Sequence, residues 1–288
     1  MSNFVLMKYI CKQMNLPCCQ ILYGSILEYS ARSEIFRLIT ISNPATIILL
    51  IAIIFCTIRI IKRVRKSYTS TGRREMILFF YFYLYSITLE AINLTGFLSK
   101  FVPDATTYYT AVQLAFANTS VLALIIGSSF SSISILDYGF SAGKALKIGC
   151  FFALFVYVIL SAFVLTTKNG LVLFLEIIVI NSIFFLVYIF IQFKRLINKR
   201  REIWAYGNLT VAVSFFLMGT IPMFYGASII AWLSDRYLDS LFFFHLFIFC
   251  AIIMVHKLWL STSEDEEDCV PLKIRDLKTP DYNETRRK

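Results

Sequence analysis

The sequence contains few charged residues and almost no histidine. Charged side chains make up 16% of its 288 residues, below the roughly 25% of soluble domains. His245 and His256 are the only histidines, and no HExxH, GxSxG, P-loop or GxGxxG motif occurs. These shortages argue against hydrolytic, metal-dependent and nucleotide-dependent catalysis. We therefore expect a protein that is not an enzyme, with no catalytic residue, no metal and no cofactor.

Apolar residues are abundant instead. They form 58% of the chain, and the mean hydropathy is +0.71. The net charge of +10 does not indicate nucleic acid, because the Lys and Arg residues fall in short clusters between apolar runs. We expect no nucleic-acid partner, and we expect lipid to surround most of the chain.

Seven apolar runs are long enough to cross a hydrocarbon core of about 30 Å as helices. They predict an all-α, polytopic protein: a seven-helix bundle over residues 44–260, an N-terminal segment over 1–43 and a disordered acidic and basic tail over 261–288. The runs cover residues 44–61, 75–98, 108–135, 145–166, 171–193, 203–231 and 238–260.

The loops between these runs differ sharply in positive charge. In chain order they contain six, one, two, one, five and one Lys or Arg residues, the third count including Lys147 at the start of the fourth run. Cytoplasmic loops carry the excess of Lys and Arg. The alternation therefore predicts a lumenal N-terminus and a cytosolic C-terminus.

Three cysteines lie close together before the first run, in "ICKQMNLPCCQIL". A disulfide can persist in a lumenal segment, so Cys11 could pair with Cys18 or with Cys19. The alternative is three free thiols on a flexible segment.

Several polar residues lie inside the predicted spans, where ionised groups are costly. Glu90, Glu176 and Asp239 share the lumenal half with Asn93 and Gln113. They could form one polar cluster or line a cavity, but hydrogen bonding between helices is the simpler interpretation. The small residues of "GSSFSSIS" (127–134) favour a tightly packed central third helix.

An acidic run follows the last span directly. Such a run is usually a solvated tail, and the more specific hypothesis is an export signal that coat proteins bind at the exit from the endoplasmic reticulum. The run consists of Glu264, Asp265, Glu266, Glu267 and Asp268.

Four motifs in order along the chain resemble the fungal chitin synthase export chaperones. "YTSTGRRE" (68–75) opens the second span, and "YLDSLFF" (237–243) precedes "MVHKLW" (254–259) and the acidic run. The N-terminal "IC", "LP" and a second cysteine match Cys11 and Cys19, and "YYTAVQLAFA" (108–117) matches the start of the third span. The chain is short with compact loops, so it resembles a divergent member or a paralogue.

The resemblance implies a multi-pass chaperone of the endoplasmic reticulum membrane that binds a chitin synthase and enables its folding and export for cell wall synthesis. It also favours a Cys11–Cys19 disulfide and cycling through the secretory pathway alongside the client. Membrane lipids, indicated by the apolar composition, and coat proteins, indicated by the acidic run, are the further partners that we expect. The motif residues become candidate client-binding positions: Tyr68, Thr69, Gly72, Arg73, Glu75, Gln113, Tyr237, Asp239, Lys257 and Trp259.

A seven-span receptor and a small-solute transporter are the alternatives. The third span ends in "SILDYGF" and has no Asp-Arg-Tyr type triplet, which argues against a receptor. The intramembrane carboxyl groups favour a transporter, but the halves of the chain show no inverted repeat.

Overall fold

A computed structural model gives the arrangement of most of the chain. It describes residues 5–13, 16–23, 34–36, 39–41, 43–67, 72–133, 140–198, 203–225, 229–230, 232, 234–235 and 237–268.

The described residues are almost entirely helical. The helices are α1 (Val5–Gln13), α2 (Pro17–Tyr23), α3 (Pro44–Lys66), α4 (Arg73–Leu94), α5 (Phe97–Phe101), α6 (Pro103–Ile133), α7 (Phe140–Thr167), α8 (Gly170–Phe174), α9 (Asn181–Asn198), α10 (Ile203–Phe224) and α11 (Ser240–Asp268). A π-helical turn, Leu175–Ile180, joins α8 to α9. Strands β1 (Glu34–Phe36) and β2 (Ile39–Ile41) form an antiparallel ribbon.

Among the described residues, seven helical segments are long and apolar enough to cross a membrane, as predicted. We call them spans 1 to 7: Pro44–Lys66, Arg73–Leu94, Ala105–Ser128, Leu146–Thr167, Gly170–Asn198, Ile203–Pro222 and Ser240–Thr262. The all-α, seven-helix prediction is confirmed, with the short ribbon as a small addition. The basic end of the bundle is where spans 1, 3, 5 and 7 finish, and the disulfide end is the opposite one.

Spans 2, 3 and 7 form the centre of the bundle. Span 3 is the most buried of the seven segments, and spans 4, 5 and 6 are among the least buried. The small side chains of span 3 explain its position, because they let neighbouring backbones approach closely. Large apolar side chains on the outer spans, such as Phe152, Phe155 and Phe190, remain exposed, as expected for surfaces in contact with lipid.

Helices α1 and α2 close the disulfide end. Ile10 is fully buried in a cluster with residues of spans 1, 2 and 7, and Cys11, Cys18 and Cys19 pack against Ala111 of span 3 and residues of spans 4 and 5. A disulfide joins Cys11 to Cys19. We refer to α1 and α2 together as the N-terminal plug.

Some element boundaries differ from the sequence prediction. Span 2 ends at Leu94 rather than at residue 98, and the sixth helix ends at Phe224 rather than at residue 231. The last helix continues to Asp268, so residues 261–268, assigned to the tail by the sequence, are helical. The chain has no glycine or proline between Thr262 and Pro271 that would end the helix earlier.

Candidate functional site

The "YTSTGRRE" stretch ends in a tight turn into span 2. Gly72 has φ of +73° and occupies the N-cap position, in the left-handed region that only glycine adopts without strain. Three residues later, Glu75 lies in the first helical turn and is buried. A carboxylate at this position interacts favourably with the positive end of the helix dipole.

The carboxylate-bearing side chain of Glu75 packs directly against span 3. A Cβ atom at Gly127 would lie 2.7 Å from the Cβ of Glu75, closer than two carbon atoms can approach. Gly127 therefore permits the contact between spans 2 and 3 at the basic end. It is the first residue of the stretch 127–134, for which the sequence analysis predicted tight packing.

The last span reaches the same place. A Cβ atom at Gly72 would lie 3.5 Å from Nε1 of the Trp259 indole, and Trp259 itself is buried. Two of the motifs, near opposite ends of the sequence, therefore meet at the basic end of the bundle.

A small cavity with both polar and apolar walls lies between these residues. Its volume is about 40 Å³, enough for a few water molecules or the tip of a polar side chain. Glu75 from span 2 and Arg195 from span 5 bring opposite charges to its wall, and both are buried. We call this the polar cavity; its other lining residues are Gly72, Met76, Ala123, Leu124, Gly127, Ser128, Tyr188, Gln192, Leu258, Trp259 and Thr262.

Two further motif residues lie near the cavity but do not line it. Arg73 is half-buried, and its Nη1 donates a hydrogen bond of 3.4 Å to the carbonyl of Arg65. Lys257 is exposed on span 7. Tyr68 and Thr69 lie outside the described residues.

The remaining motif residues lie at the disulfide end. Asp239 is buried and caps span 7, because its Oδ1 accepts a hydrogen bond from the backbone N–H of Phe242 at 3.0 Å. The same carboxylate accepts from Asn43 at 2.5 Å and from the Thr46 hydroxyl at 3.2 Å. Asp239 thus links the starts of spans 1 and 7, whereas Tyr237 is exposed.

Gln113 joins spans 2 and 3 near the same end. The Asn93 amide donates hydrogen bonds to the Gln113 carbonyl oxygen at 3.2 Å and to the Thr110 hydroxyl at 2.9 Å. The ten motif positions therefore do not form one site. Gly72, Glu75 and Trp259 share the polar cavity, while Gln113 and Asp239 hold helices together at the opposite end.

Each intramembrane glutamate has its own partners. Oε1 of Glu90 lies 3.1 Å from Nε2 of His245, which links spans 2 and 7. Glu176, in the π-helical turn, accepts hydrogen bonds from Asn118 at 3.0 Å and from Ser161. Within the described residues, no group of His, Cys, Asp and Glu side chains is arranged to hold a metal ion.

Sequence reasoning missed two important members of the polar cavity. It counted Arg195 among the cations of the fifth loop and did not consider Gln192. With Tyr188, these residues recur at spacings of four and three along span 5, so they occupy one helical face. The sequence signal for this part of the site was a row of polar residues along one face of an otherwise apolar helix.

The comparison with known families covers nearly the whole chain. Residues 3–271 match the family described as chitin synthase export chaperone. The chain belongs to the chitin synthase export chaperone family. This membership agrees with the meeting of the "YTSTGRRE" and "MVHKLW" motifs in one cavity.

Several fungal proteins that carry the same name are similar along almost their full length. The protein of Coccidioides immitis is 26% identical over 92% of this chain and 84% of its own length. The protein of Phaeosphaeria nodorum is 27% identical over 92% of this chain and 84% of its own length. The protein of Neurospora crassa is 25% identical over 95% of this chain and 81% of its own length. No solved structure matches the chain.

Proposed function

We propose that this protein acts in the membrane of the endoplasmic reticulum as a chaperone that binds a chitin synthase and enables its folding and export. Family membership and the names of its fungal relatives support this function. It is a chaperone's role and requires no catalysis. The convergence of Gly72, Glu75 and Trp259 on the polar cavity is the structural observation that carries the proposal.

The polar cavity has features suited to client binding. A helper for a polytopic enzyme must recognise polar groups on helices that are not yet packed, because such groups are costly to leave unpaired in lipid. Glu75 and Arg195 offer an acceptor and donors in one recess, and Trp259 beside them offers an amphipathic ring. The cavity would receive a polar side chain from the end of a client helix, with Arg73 and Lys257 on its flank.

In this function the basic end lies in the cytosol. The loops at that end contain most of the Lys and Arg residues between spans, the distribution typical of cytoplasmic loops. The acidic run 264–268 then lies on the cytosolic side, in a helical continuation of span 7. There it would be available to coat proteins that collect cargo for export.

The test is the location of a fluorescently tagged chitin synthase in fungal cells with and without this protein. We expect the synthase to remain in the endoplasmic reticulum when the protein is absent. Variants Glu75→Ala and Trp259→Ala should restore export poorly and should co-purify less synthase. Lys168→Gln, an exposed residue at the disulfide end, is the control and should restore export fully.

Two results would overturn different parts of the proposal. If the synthase reaches the cell surface without this protein and without a paralogue, the chaperone function is wrong. If the synthase is retained but both cavity variants restore export like the control, the function holds and the polar cavity is not the client site. Immunoblotting must show equal amounts of each variant, since Glu75 is also packed against span 3.

A further inference from the structure

One exposed face of span 1 changes from apolar to cationic along its length. Its residues follow one another at intervals of three and four: Ile48, Ala52 and Phe55, then Arg59, Lys62 and Lys66, all exposed. Arg63, four residues after Arg59, is exposed on the same face. We call Arg59, Lys62, Arg63 and Lys66 the cationic stripe.

The apolar half of this face shows what surrounds it. Ile48 is 69% exposed and Phe55 is 64% exposed, whereas Leu50, Ile53 and Ile61 on other faces are buried in the bundle. Exposed aliphatic and aromatic side chains within a spanning helix are in contact with lipid chains. The cationic stripe continues the same lipid-facing surface toward the basic end.

Within the described part of the chain, the four cations have no hydrogen-bond or ion-pair partner. Arg65, on another face of the same helix, differs from them. Its guanidinium donates to the hydroxyl of Tyr81 and lies 5.4 Å from the centre of the Tyr81 ring. The stripe therefore presents four positive charges that the fold itself does not use.

The depth of the stripe limits what can neutralise it. Arg59 follows Pro44 by fifteen residues, about 22 Å along the helix axis, while the hydrocarbon core is about 30 Å thick. The Arg59 backbone thus lies inside the core, and its side chain must extend toward the headgroups. By the same spacing, Lys62 and Arg63 lie near the edge of the core, at about 27–29 Å, and Lys66 lies just beyond it, at about 33 Å. All three side chains are long enough to reach the phosphates.

We propose that the cationic stripe binds the headgroup of an anionic phospholipid in the leaflet at the basic end. Arginine presents a fork of N–H donors that matches phosphate oxygens, and the lysines favour a lipid with net negative charge over a zwitterionic one. The bound lipid would fix the depth and tilt of span 1. This site is separate from the polar cavity and does not depend on a client.

The test measures lipid binding by the full-length protein in mixed micelles. Fluorescent phosphatidylserine is titrated at low salt, with fluorescent phosphatidylcholine as the neutral comparison. The variant Arg59→Gln/Lys62→Gln/Arg63→Gln should bind phosphatidylserine about 100-fold more weakly, since each interfacial cation contributes roughly a factor of five. The matched control Arg74→Gln/Lys147→Gln/Lys194→Gln removes three exposed cations of the same end from other helices and should change binding less than about threefold.

A charge-preserving variant separates charge from fold. Arg59→Lys/Arg63→Lys should keep the preference for phosphatidylserine. If the triple variant does not fold, Lys62→Gln/Lys66→Gln is compared with Arg74→Gln/Lys194→Gln, and a loss of about 30-fold is expected only for the stripe.

Several results would overturn the proposal. One is a wild-type protein that binds both lipids equally, and another is an equal loss for the stripe and control variants, which would indicate general surface charge. Displacement of the lipid by inorganic phosphate at a similar concentration would indicate a free-anion site. Displacement by a soluble acidic peptide at lower concentration would indicate a protein-binding surface.

Discussion

Gly127 matters at the scale of single residues because Glu75 occupies the space where a side chain would go. We predict that Gly127→Ala destabilises the protein by about 1–3 kcal/mol, the usual cost of overpacking, since the new Cβ would lie 2.7 Å from the Cβ of Glu75. Thermal unfolding of the purified protein measures this effect. The polar cavity should lose binding function at the same time.

Gly149 provides the matched control for this substitution. It lies in span 4, and a Cβ atom there would meet nothing within 4 Å. Gly149→Ala should leave stability unchanged or raise it by up to about 1 kcal/mol, because alanine favours helix. Equal effects of the two substitutions would show that Gly127 has no special role in the contact between spans 2 and 3.

Cys18 is adjacent to the disulfide but should be chemically inert. Burial raises the pKa of its thiol to about 12, and the negative charges of Glu90 and Glu176 add to this effect. The thiolate is the reactive form. An ordinary thiol with a pKa near 8.5 is about half ionised at pH 8.5, whereas Cys18 stays almost fully protonated at that pH.

We therefore predict that labelling of Cys18 by N-ethylmaleimide in the native protein stays slow at both pH 7 and pH 8.5, because only a minute fraction of the thiol is ionised even at pH 8.5. Mass spectrometry of the digested protein measures the labelled fraction, and detergent-denatured protein gives the reference rate. Native labelling at pH 8.5 that is as fast as the denatured reference would contradict the buried position of Cys18.

The polar cavity shows how far residues could be predicted from the sequence. Gly72, Glu75 and Trp259 were identifiable because they belong to motifs. Gly127 and Arg195 were not assigned to the site, since their roles arise from contacts between spans 2, 3, 5 and 7. A single sequence shows how apolar each helix is, but it does not show which faces of the helices pack against one another.

At the scale of elements, the N-terminal plug is the feature that sequence reasoning described least. The segment has no long apolar run, so nothing in its composition indicated that Ile10 would be fully buried or that Cys11 and Cys19 would pack against spans 3, 4 and 5. Its burial depends on a recess that several spans form together, and most of these spans lie far from the plug in the sequence.

We predict that the disulfide stabilises the plug measurably. Cys11 and Cys19 are separated by eight residues, and closing a loop of that size contributes about 2.5 kcal/mol through the unfolded state. The variant Cys11→Ser/Cys19→Ser should therefore unfold at a lower temperature than wild type. A reductant should lower the wild-type unfolding temperature toward that of the variant and should not affect the variant.

Cys56→Ala serves as the control for thiol removal. Cys56 is exposed on span 1 and is a free cysteine, so its loss should change neither the unfolding temperature nor the response to reductant. A wild-type protein that responds to reductant no more than the double variant would contradict the prediction.

Element boundaries were predicted with uneven success for physical reasons. The first, fourth and seventh spans begin close to the predicted positions because sharp changes in hydropathy mark them. The sixth helix ends at Phe224, before the end of its apolar run, because hydropathy does not mark where a helix stops inside an apolar stretch. The π-helical turn in span 5 leaves no signal in hydropathy, which records composition and not hydrogen bonding.

At the scale of the whole molecule, the fold follows from very general rules. Seven apolar runs separated by short loops give seven helices that alternate in direction, and the predicted all-α bundle required little more. Spans 2, 3 and 7 form the centre of the bundle because their small and polar residues pack and pair with one another. Glu90 with His245 and Asn93 with Gln113 pair helices inside this centre, where hydrogen bonds have no competition from water.

Orientation in the membrane is the remaining property of the whole molecule, and the chain contains a natural reporter for it. The tail includes the sequon Asn283-Glu-Thr, which lumenal glycosyltransferases modify only if it crosses the membrane. The excess of Lys and Arg at the basic end predicts a cytosolic tail. We therefore predict that Asn283 is not glycosylated, whereas a sequon added ahead of Met1 is.

The measurement is the shift in gel mobility on glycosidase treatment, with Asn283→Gln as control. A shift that disappears in Asn283→Gln would show that the tail lies in the lumen. Coat proteins, which are cytosolic, could then not bind residues 264–268.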